Sequence, residues 1–483
     1  MPEVPPELLD PAEMGRADAA AAEGGVPGIA LMENAGRAVA RAVRRRFAAC
    51  RTLVLAGPGN NGGDGYVVAR RLQEAGWPVV LATLAPSRPG SDAARAAARW
   101  HGFGVEFTAA AAARAELVID AVFGAGLSRP LDDKVREVLR AARRIVAVDV
   151  PSGLDGASGQ PLGFAPEAML TVTFFRRKPG HLLLPGRVLC GPLVLADIGI
   201  PETVLPVVGA KTFANGPTLW RLPRPALGGH KYDRGYVTVL GGETMTGAAR
   251  LVAAAARRIG SGMVGIAAPS PTAAAVYRGG EPGVIVSETA LAELLGDRRR
   301  SVFVAGPGLG AAAAREALPK LLAAGKEVVA DADALTAFAG EPDGLRGAAV
   351  LTPHAGEFAR LFGPPGPDRL AAARAAAVRT GAVVLLKGAD SIVAAPDGWA
   401  AINASAPPDL ATAGAGDVLA GMIAGLIAQG MPARDAAAAG VFLHGVAAER
   451  VGRGLIAEDL PEGIPEALAA LEGRHEGWHG SVS

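Results

Sequence analysis

Thr52-Leu53-Val54-Leu55-Ala56-Gly57-Pro58-Gly59-Asn60-Asn61-Gly62-Gly63-Asp64-Gly65 runs a short apolar strand into a glycine-rich loop that carries an aspartate. A related arrangement returns at Thr412-Ala413-Gly414-Ala415-Gly416-Asp417, ahead of the apolar stretch 418–428. Glycines let backbone N–H groups come close to an anion, and a helix N-terminus adds partial positive charge where they converge. Two such loops about 350 residues apart do not belong to one mononucleotide-binding unit. Two nucleotide-handling domains are expected, with room for two activities.

Between residues 50 and 200 short apolar stretches alternate with Ala- and Arg-rich segments of helical spacing such as 92–100 and 132–142. The strands read as 52–56, 78–82, 117–122, 145–150, 169–174 and 193–197. Strand–helix alternation over this length predicts a parallel sheet with helices on both faces. The pattern breaks near Ile200-Pro201-Glu202, and 215–229, with Pro217, Pro223 and Pro225, reads as a linker. A second alternation runs to about residue 450, with strands at 235–240, 264–268, 301–305, 327–330, 348–351, 383–386 and 392–395. The fold class is α/β in two domains, a Rossmann-like doubly wound sheet over 1–210 and a second α/β domain over 222–472. Residues 472–483 read as a frayed tail.

The 483 residues are 50% hydrophobic and 20% charged, which supports large cores and argues against wholesale disorder. A net charge of +1 gives no support for nucleic-acid or membrane-surface partners. The cluster Arg44-Arg45-Arg46 reads as a solvated helix end. Two cysteines, Cys50 and Cys190, without a C-x-x-C spacing, suit a reducing cytoplasm and exclude a disulfide framework. The start resembles no signal peptide. The apolar run 418–433 is broken by Gln429, Gly430 and Pro432, falls short of the ~20 residues of a bilayer span, and reads as a buried helix. Apolar Ala-rich helices suit a homo-oligomer.

Gly57-x-Gly59-x-x-Gly62 after a strand fits the dinucleotide fingerprint. The acidic residue expected about 20 residues on is missing, so an ordinary nicotinamide dehydrogenase is not indicated. Polar groups gather where the strands end: Asn60, Asn61 and Asp64, then Asp120, then Asp149 with Ser152 and Asp155. Oxygen-rich groups at one sheet edge suit a hard cation or acid/base work on a small molecule. Singly, each aspartate reads equally well as a loop cap.

Met32-Glu33-Asn34-Ala35-Gly36, the 60–65 loop, Asp120-Ala121-Val122-Phe123-Gly124-Ala125-Gly126-Leu127, Asp149-Val150-Pro151-Ser152-Gly153-Leu154-Asp155, Lys178-Pro179-Gly180 and Asp197-Ile198-Gly199-Ile200-Pro201 together resemble the NAD(P)H-hydrate epimerase domain, over about residues 10–205. That family interconverts the R and S epimers of NAD(P)H hydrated at nicotinamide C6. The resemblance implies a potassium ion on Asn61, Asp120 and Ser152. It implies that Asn60, Asn61, Gly62, Gly63 and Asp64, then Gly124, Ala125, Gly126, Leu127, Ser128, Arg129 and Pro130, with Asp149, bind the hydrated dinucleotide. Asp149 is the expected proton shuttle at C6.

In the second domain the 412–417 loop resembles that of ribokinase-like sugar and vitamin kinases, with Asp417 as base toward a hydroxyl. Asp417 as a helix cap is the bland alternative. With His230-Lys231, Gly247-Ala248-Ala249, Gly306-Pro307-Gly308-Leu309-Gly310, Asp331-Ala332-Asp333-Ala334-Leu335, Leu351-Thr352-Pro353-His354-Ala355-Gly356-Glu357 and Lys387-Gly388-Ala389-Asp390-Ser391, it resembles the ADP-dependent NAD(P)H-hydrate dehydratase domain. The resemblance implies that Ala248, Gly308, His354 and Asp417 contact NADHX or NADPHX. It implies that Lys387, Gly388, Ala389, Asp390, Ser391 and Gly416 hold ADP, with Mg2+ accompanying the nucleotide. Tyr232 and Ala415 stand where that family commonly has glycine and serine. His444 reads as a satisfied structural residue.

The expected chemistry is repair of both epimers, with AMP and phosphate as by-products of dehydration. One rival makes the second domain an ATP-dependent sugar or vitamin kinase. Another makes the first domain a nucleotide-binding module without catalysis.

Overall fold

The computed structural model describes residues 4–476. The chain divides into two compact units, residues 1–213 and 214–483. The first contains a seven-stranded, wholly parallel sheet. Across it the strands run Gly104–Val105, Val79–Thr83, Thr52–Ala56, Leu117–Ala121, Ile145–Val148, Leu170–Phe174 and Leu193–Ala196. The chain order reverses between Thr52–Ala56 and Leu117–Ala121. In open α/β sheets the crevice beyond the carboxyl ends at such a reversal is where ligands bind.

Period-two alternation places the side chains on the two faces. Val54, Ile119 and Val146 point into one core, closed by the helices Gly28–Arg46 and Asn60–Glu74. Leu53, Leu55, Val118 and Ala147 point into the opposite core, with Val135, Val138 and Leu139 of helix Asp133–Ala141. The doubly wound prediction therefore holds. Arg44–Arg46 does form the last turn of its helix. Arg176, by contrast, is buried and pairs with Glu7 and Glu202.

Asn60–Gly65 is a correction. The sequence reads it as a loop, yet a helix begins at Asn60 directly after Gly59, and Gly62, Gly63 and Gly65 lie buried in its first turns. Gly102-Phe103-Gly104 hid the two-residue edge strand that follows Leu81 in register, because glycine ordinarily signals a turn.

The second unit holds a mixed sheet ordered Ala400–Asn403, Ser391–Ala394, Val383–Leu386, Val350–Leu351, Glu327–Ala330, Val302–Ala305, Tyr236–Leu240, Met263–Ala267 and Ile285–Ser287. Its pairs are parallel except at Ser391–Ala394, which runs antiparallel to both neighbours. Helix Ala415–Ala428 packs in the core on one face beside Val252 and Ala255, and it ends at Ala428, where Gln429 Nε2 turns back to donate to Gly425 O at 2.9 Å. No helix among the described residues is long and apolar enough to cross a membrane. The expected linker is irregular, but Trp220 within it is buried in the second unit's core and donates to Asn215. Helix Leu460–Glu476 carries regular structure into the expected tail, and 477–483 lie outside the described residues.

Candidate active sites

At the strand reversal of the first sheet opens a cleft of about 530 Å³. Asn60, Asn61 and Asp64 line it from the first turn after Thr52–Ala56, and Gly124, Ala125, Gly126 and Leu127 from the loop after Leu117–Ala121. Asp149, after Ile145–Val148, closes the floor with Lys178. Of the expected dinucleotide contacts, Gly62 and Gly63 are instead buried, and Ser128, Arg129 and Pro130 are exposed beyond the cleft wall.

Asp149 has φ +70°, a left-handed conformation that costs a non-glycine residue energy. Its N–H donates to Val172 O at 2.8 Å, and four further contacts hold it there. Oδ1 accepts from Lys178 Nζ at 2.5 Å and Thr173 Oγ1 at 3.0 Å, and Oδ2 accepts from Ala125 N–H at 3.0 Å. Its backbone carbonyl lies 2.9 Å from His181 Nε2. Because His181 Nδ1 accepts from Lys178 N–H, the ring proton sits on Nε2 and is donated to that carbonyl. Burial holds His181 down to about 4, so the ring is neutral. For Asp149 burial favours the acid, but the charge and hydrogen bond of Lys178 outweigh it and bring the carboxyl down to about 2. Asp149 is an anion throughout the neutral range.

Two carboxyls on the same cleft behave oppositely. Burial, then the charges of Asp149 and Asp18, raise Asp64 well above its ordinary value. Asp18, on helix Pro11–Glu23, is raised as well, first by burial. Sequence reasoning missed Asp18, which lies in no recognisable motif, and gave Lys178 no role. The Met32-Glu33-Asn34 motif divides three ways. Met32 lines the cleft, Glu33 pairs with Arg70, Arg71 and Arg99, and Asn34 donates to Ile198 O at 2.7 Å.

Beneath this floor Asp120 is fully buried. Its oxygens accept from Ser152 Oγ at 2.6 Å, Ser152 N–H at 2.8 Å and Val122 N–H at 3.3 Å, and burial raises its pKa. No basic side chain among the described residues pairs with it. The Asn61 amide nitrogen donates to Val148 O at 3.1 Å, and its oxygen accepts from Gly124 N–H at 3.3 Å.

In the second unit the expected residues converge beyond the carboxyl ends of five strands. Gly308 lies against Ala248: a Cβ on Gly308 would stand 3.2 Å from Ala248 Cβ. Lys387 N–H donates to Pro353 O at 2.8 Å, which joins the His354 and Lys387 loops. Lys387 Nζ donates to Asp331 Oδ1 at 2.8 Å and stands 3.2 Å from the Cβ position of Gly416. Asp417 follows in the first turn of helix Ala415–Ala428, whose N-cap Gly414 has φ +88°. Burial and then the charge of Asp331 raise Asp417 to about 6, against the opposing pull of Lys387.

Some expected ligands have structural duties. His354 is the N-cap of helix Ala355–Phe362: Nδ1 accepts from Gly356 and Glu357 N–H while Glu357 accepts from His354 N–H. Asp390 is buried and pairs with Arg369, and Ser391 Oγ bridges Gly388 N and O. Gly388 and Ala389 are the exposed residues of that loop. His444 is buried as expected, but its Nε2 has no hydrogen-bond partner among the described residues.

Residues 237–468 match the family model described as NAD(P)H-hydrate dehydratase, and residues 28–180 that of the YjeF-related protein N-terminus. Over 519 aligned residues the chain is 39% identical to a bifunctional NAD(P)H-hydrate repair enzyme of Moorella thermoacetica, spanning 96% of this chain and 97% of that one. This chain belongs to that repair-enzyme family. The Mycobacterium tuberculosis member is 40% identical over 430 residues, covering 86% and 87% of the two chains. The second unit also resembles a solved ADP/ATP-dependent NAD(P)H-hydrate dehydratase from Bacillus subtilis. That likeness has 28% identity and a TM-score of 0.46, over 52% of this chain and 94% of that one. The dehydratase match falls wholly within the unit that carries Asp417.

Proposed function

We infer that the first unit epimerises hydrated NAD(P)H at C6 and that the second dehydrates the S epimer with ADP. The observation that supports the division of labour is the contrast between the two key carboxylates. Asp149 is held ionised against Lys178, whereas Asp417 is raised to about 6 above an anion-receptive helix start.

C6 of the hydrated ring is a hemiaminal carbon. The N1 lone pair expels the hydroxyl as water once that oxygen is protonated, leaving an iminium that water re-enters from either face. Asp149, as an anion, does not supply this proton. It faces the cationic ring and accepts the proton of the returning water. The donor is Asp64 or Asp18, carboxyls on the same cleft whose proton affinity burial raises. This revises the expected role of Asp149 from shuttle to base.

Potassium fits Asn61, Asp120 and Ser152. Asp120 is a buried carboxyl with no basic partner among the described residues, and the Ser152 hydroxyl lies against it. When bound, the ion would supply positive charge beside the buried Asp120 carboxyl. Magnesium finds less. Asp331 is paired with Lys387 and Asp333 accepts from Gly310 N–H, and the described residues contain no group of three or more His, Cys, Asp or Glu able to hold a metal. No step is assigned to it.

In dehydration Asp417 removes the C6 hydroxyl proton as that oxygen attacks the terminal phosphorus of ADP, and AMP leaves. The C6–O bond then breaks with N1 electron donation. Phosphate departs, and loss of a C5 proton restores the dihydropyridine. Free Cys50 and Cys190 are compatible with a cytoplasmic setting.

The test is recovery of reduced-nicotinamide absorbance from an epimer mixture of NADHX with ADP, with ATP and without nucleotide. Complete recovery with ADP is expected. Recovery that stops at one epimer's share would remove the epimerase assignment, and no recovery with either nucleotide would return the second unit to the sugar-kinase reading.

A further inference from the structure

The Asp331-Ala332-Asp333 segment has no part in the chemistry above, yet Asp331 lies at its centre. Its side chain is 2% exposed, and its Oδ1 accepts both from Lys387 Nζ at 2.8 Å and from Ala332 N–H at 2.9 Å. Ala332 has φ +47° and ψ −114°, outside the regions open to a side-chain-bearing residue. A fully buried carboxylate and a strained neighbour both cost stability, so the fold retains them against their local preference. The other end of the pair explains what they secure. A Cβ on Gly416 would stand 3.2 Å from Lys387 Nζ and 3.7 Å from Asp331 Oδ2, so the ammonium lies directly under the first turn that presents Asp417.

We propose that Asp331 is a positioning residue of the dehydratase site, fixing the Lys387 ammonium beneath Gly416 to face the phosphoryl group in transfer. The proposal rests on Asp417 being the base. Phosphoryl transfer is helped chiefly by positioning and by charge neutralisation around the equatorial oxygens, and a lysine held from below by a buried carboxylate has little freedom to leave. Without that carboxylate the four-carbon stem of Lys387 can turn toward Glu357 or Asp417.

The charges around Asp417 come from three elements. Asp331 and Asp333 lie after strand Glu327–Ala330, Glu357 on helix Ala355–Phe362, and Lys387 after strand Val383–Leu386. His444, on helix Ala433–Val451, is neutral at assay pH because burial takes it to about 4. Asp331 is the first of these charges to raise Asp417 and Lys387 the one that lowers it.

The test is the pH profile of dehydration in the full chain, with Asp331→Asn, Asp331→Glu and the double variant Asp331→Asn/Lys387→Met beside Asp417→Asn. Asp331→Asn is expected to lower kcat at least tenfold, raise the KM for ADP, and move the acidic limb from about 6 to lower pH. Asp331→Glu should restore the limb. The double variant replaces the pair with neutral groups, so it stays folded even if Asp331→Asn does not; it should keep the low kcat while its limb returns toward 6. A limb and kcat unchanged in Asp331→Asn, or kcat restored in the double variant, overturns the proposal. Loss of turnover in Asp417→Asn alongside those results leaves the base assignment intact, whereas near-normal turnover in Asp417→Asn removes that assignment itself.

Discussion

Lys178 Nζ and Asp149 Oδ1 meet at 2.5 Å on the cleft floor of the first unit, with Thr173 Oγ1 within hydrogen-bond reach of both. The side chains are 3% and 16% exposed, so neither charge is well solvated. Such a pair gives little net stability, but removing one member leaves the other buried and uncompensated. The first unit therefore holds an anion on its cleft floor by burying the counter-charge behind it, and the left-handed backbone of Asp149 is part of that cost.

Breaking the pair on one side should be worse than removing it. Asp149→Asn is expected to destabilise the first unit by about 3–5 kcal/mol at neutral pH, and Asp149→Asn/Lys178→Met to recover part of this. The pH dependence has a definite sign. A carboxyl lowered from 3.8 to about 2 stabilises the fold fully above pH 4, and the contribution disappears as pH falls through 2. Thermal melting of wild type and Asp149→Asn should diverge above pH 4 and converge toward pH 2. A constant difference across that range would contradict the assignment.

Asp417 has the opposite sign. Between pH 4 and 6 the folded chain holds a proton the unfolded chain has released, so stability declines as pH rises through this window. Asp417→Asn should lower the dehydration rate about 10²–10⁴-fold. It should also melt higher than wild type above pH 6 and equally at pH 4. A variant both inactive and less stable at neutral pH would point to a structural cap instead of a base.

Strands buried on both faces were the most legible part of the sequence. Leu53-Val54-Leu55, Val328-Val329 and Val383-Val384-Leu385-Leu386 give continuous β-favouring runs, and their strands fall where those runs lie. Ile285–Ser287 and Ala400–Asn403 were missed because a short edge and an Ala-Ala start carry little strand signal. The helix at Asn60 was hidden because glycine is a poor helix former. Here tertiary contact overrides propensity, with Gly62 pressed on Gly57 O and Gly65 on Ala121. Motifs marked Asp149, at a strand end, and Asn61 and Asp417, in first helix turns, yet nothing local marked Asp18, whose place on the cleft depends on how a distant helix packs.

Potassium offers a test of the Asp120 floor. A cation that binds only the folded chain raises its melting temperature by mass action. Wild type in potassium buffer is expected to melt higher and epimerise faster than in a buffer whose only cation is a bulky tetraalkylammonium. Asn61→Ala and Ser152→Ala should lose that difference while keeping a cooperative transition. Equal potassium responses in wild type and both variants would place the ion elsewhere.

The glycines of the first helix turn can be told apart by what a methyl group would meet. On Gly62 a Cβ would lie 1.8 Å from Gly57 O and 2.6 Å from Gly57 C, both backbone atoms that cannot swing aside. On Gly59 it would meet nothing within 4 Å, and the N-cap backbone there, φ −95° and ψ −166°, suits any residue. Overpacking of this kind costs about 1–3 kcal/mol, more where backbone must move. Gly62→Ala should therefore lower the melting temperature of the first unit by several degrees and, by shifting Asn60 and Asn61, slow epimerisation while dehydration of the S epimer continues. Gly59→Ala should melt like wild type, and because Gly59 lines the cleft its effect should appear in the KM for the hydrated dinucleotide. If the two variants melt alike, the close approach of Gly62 to Gly57 is not what lets the strand turn into the helix.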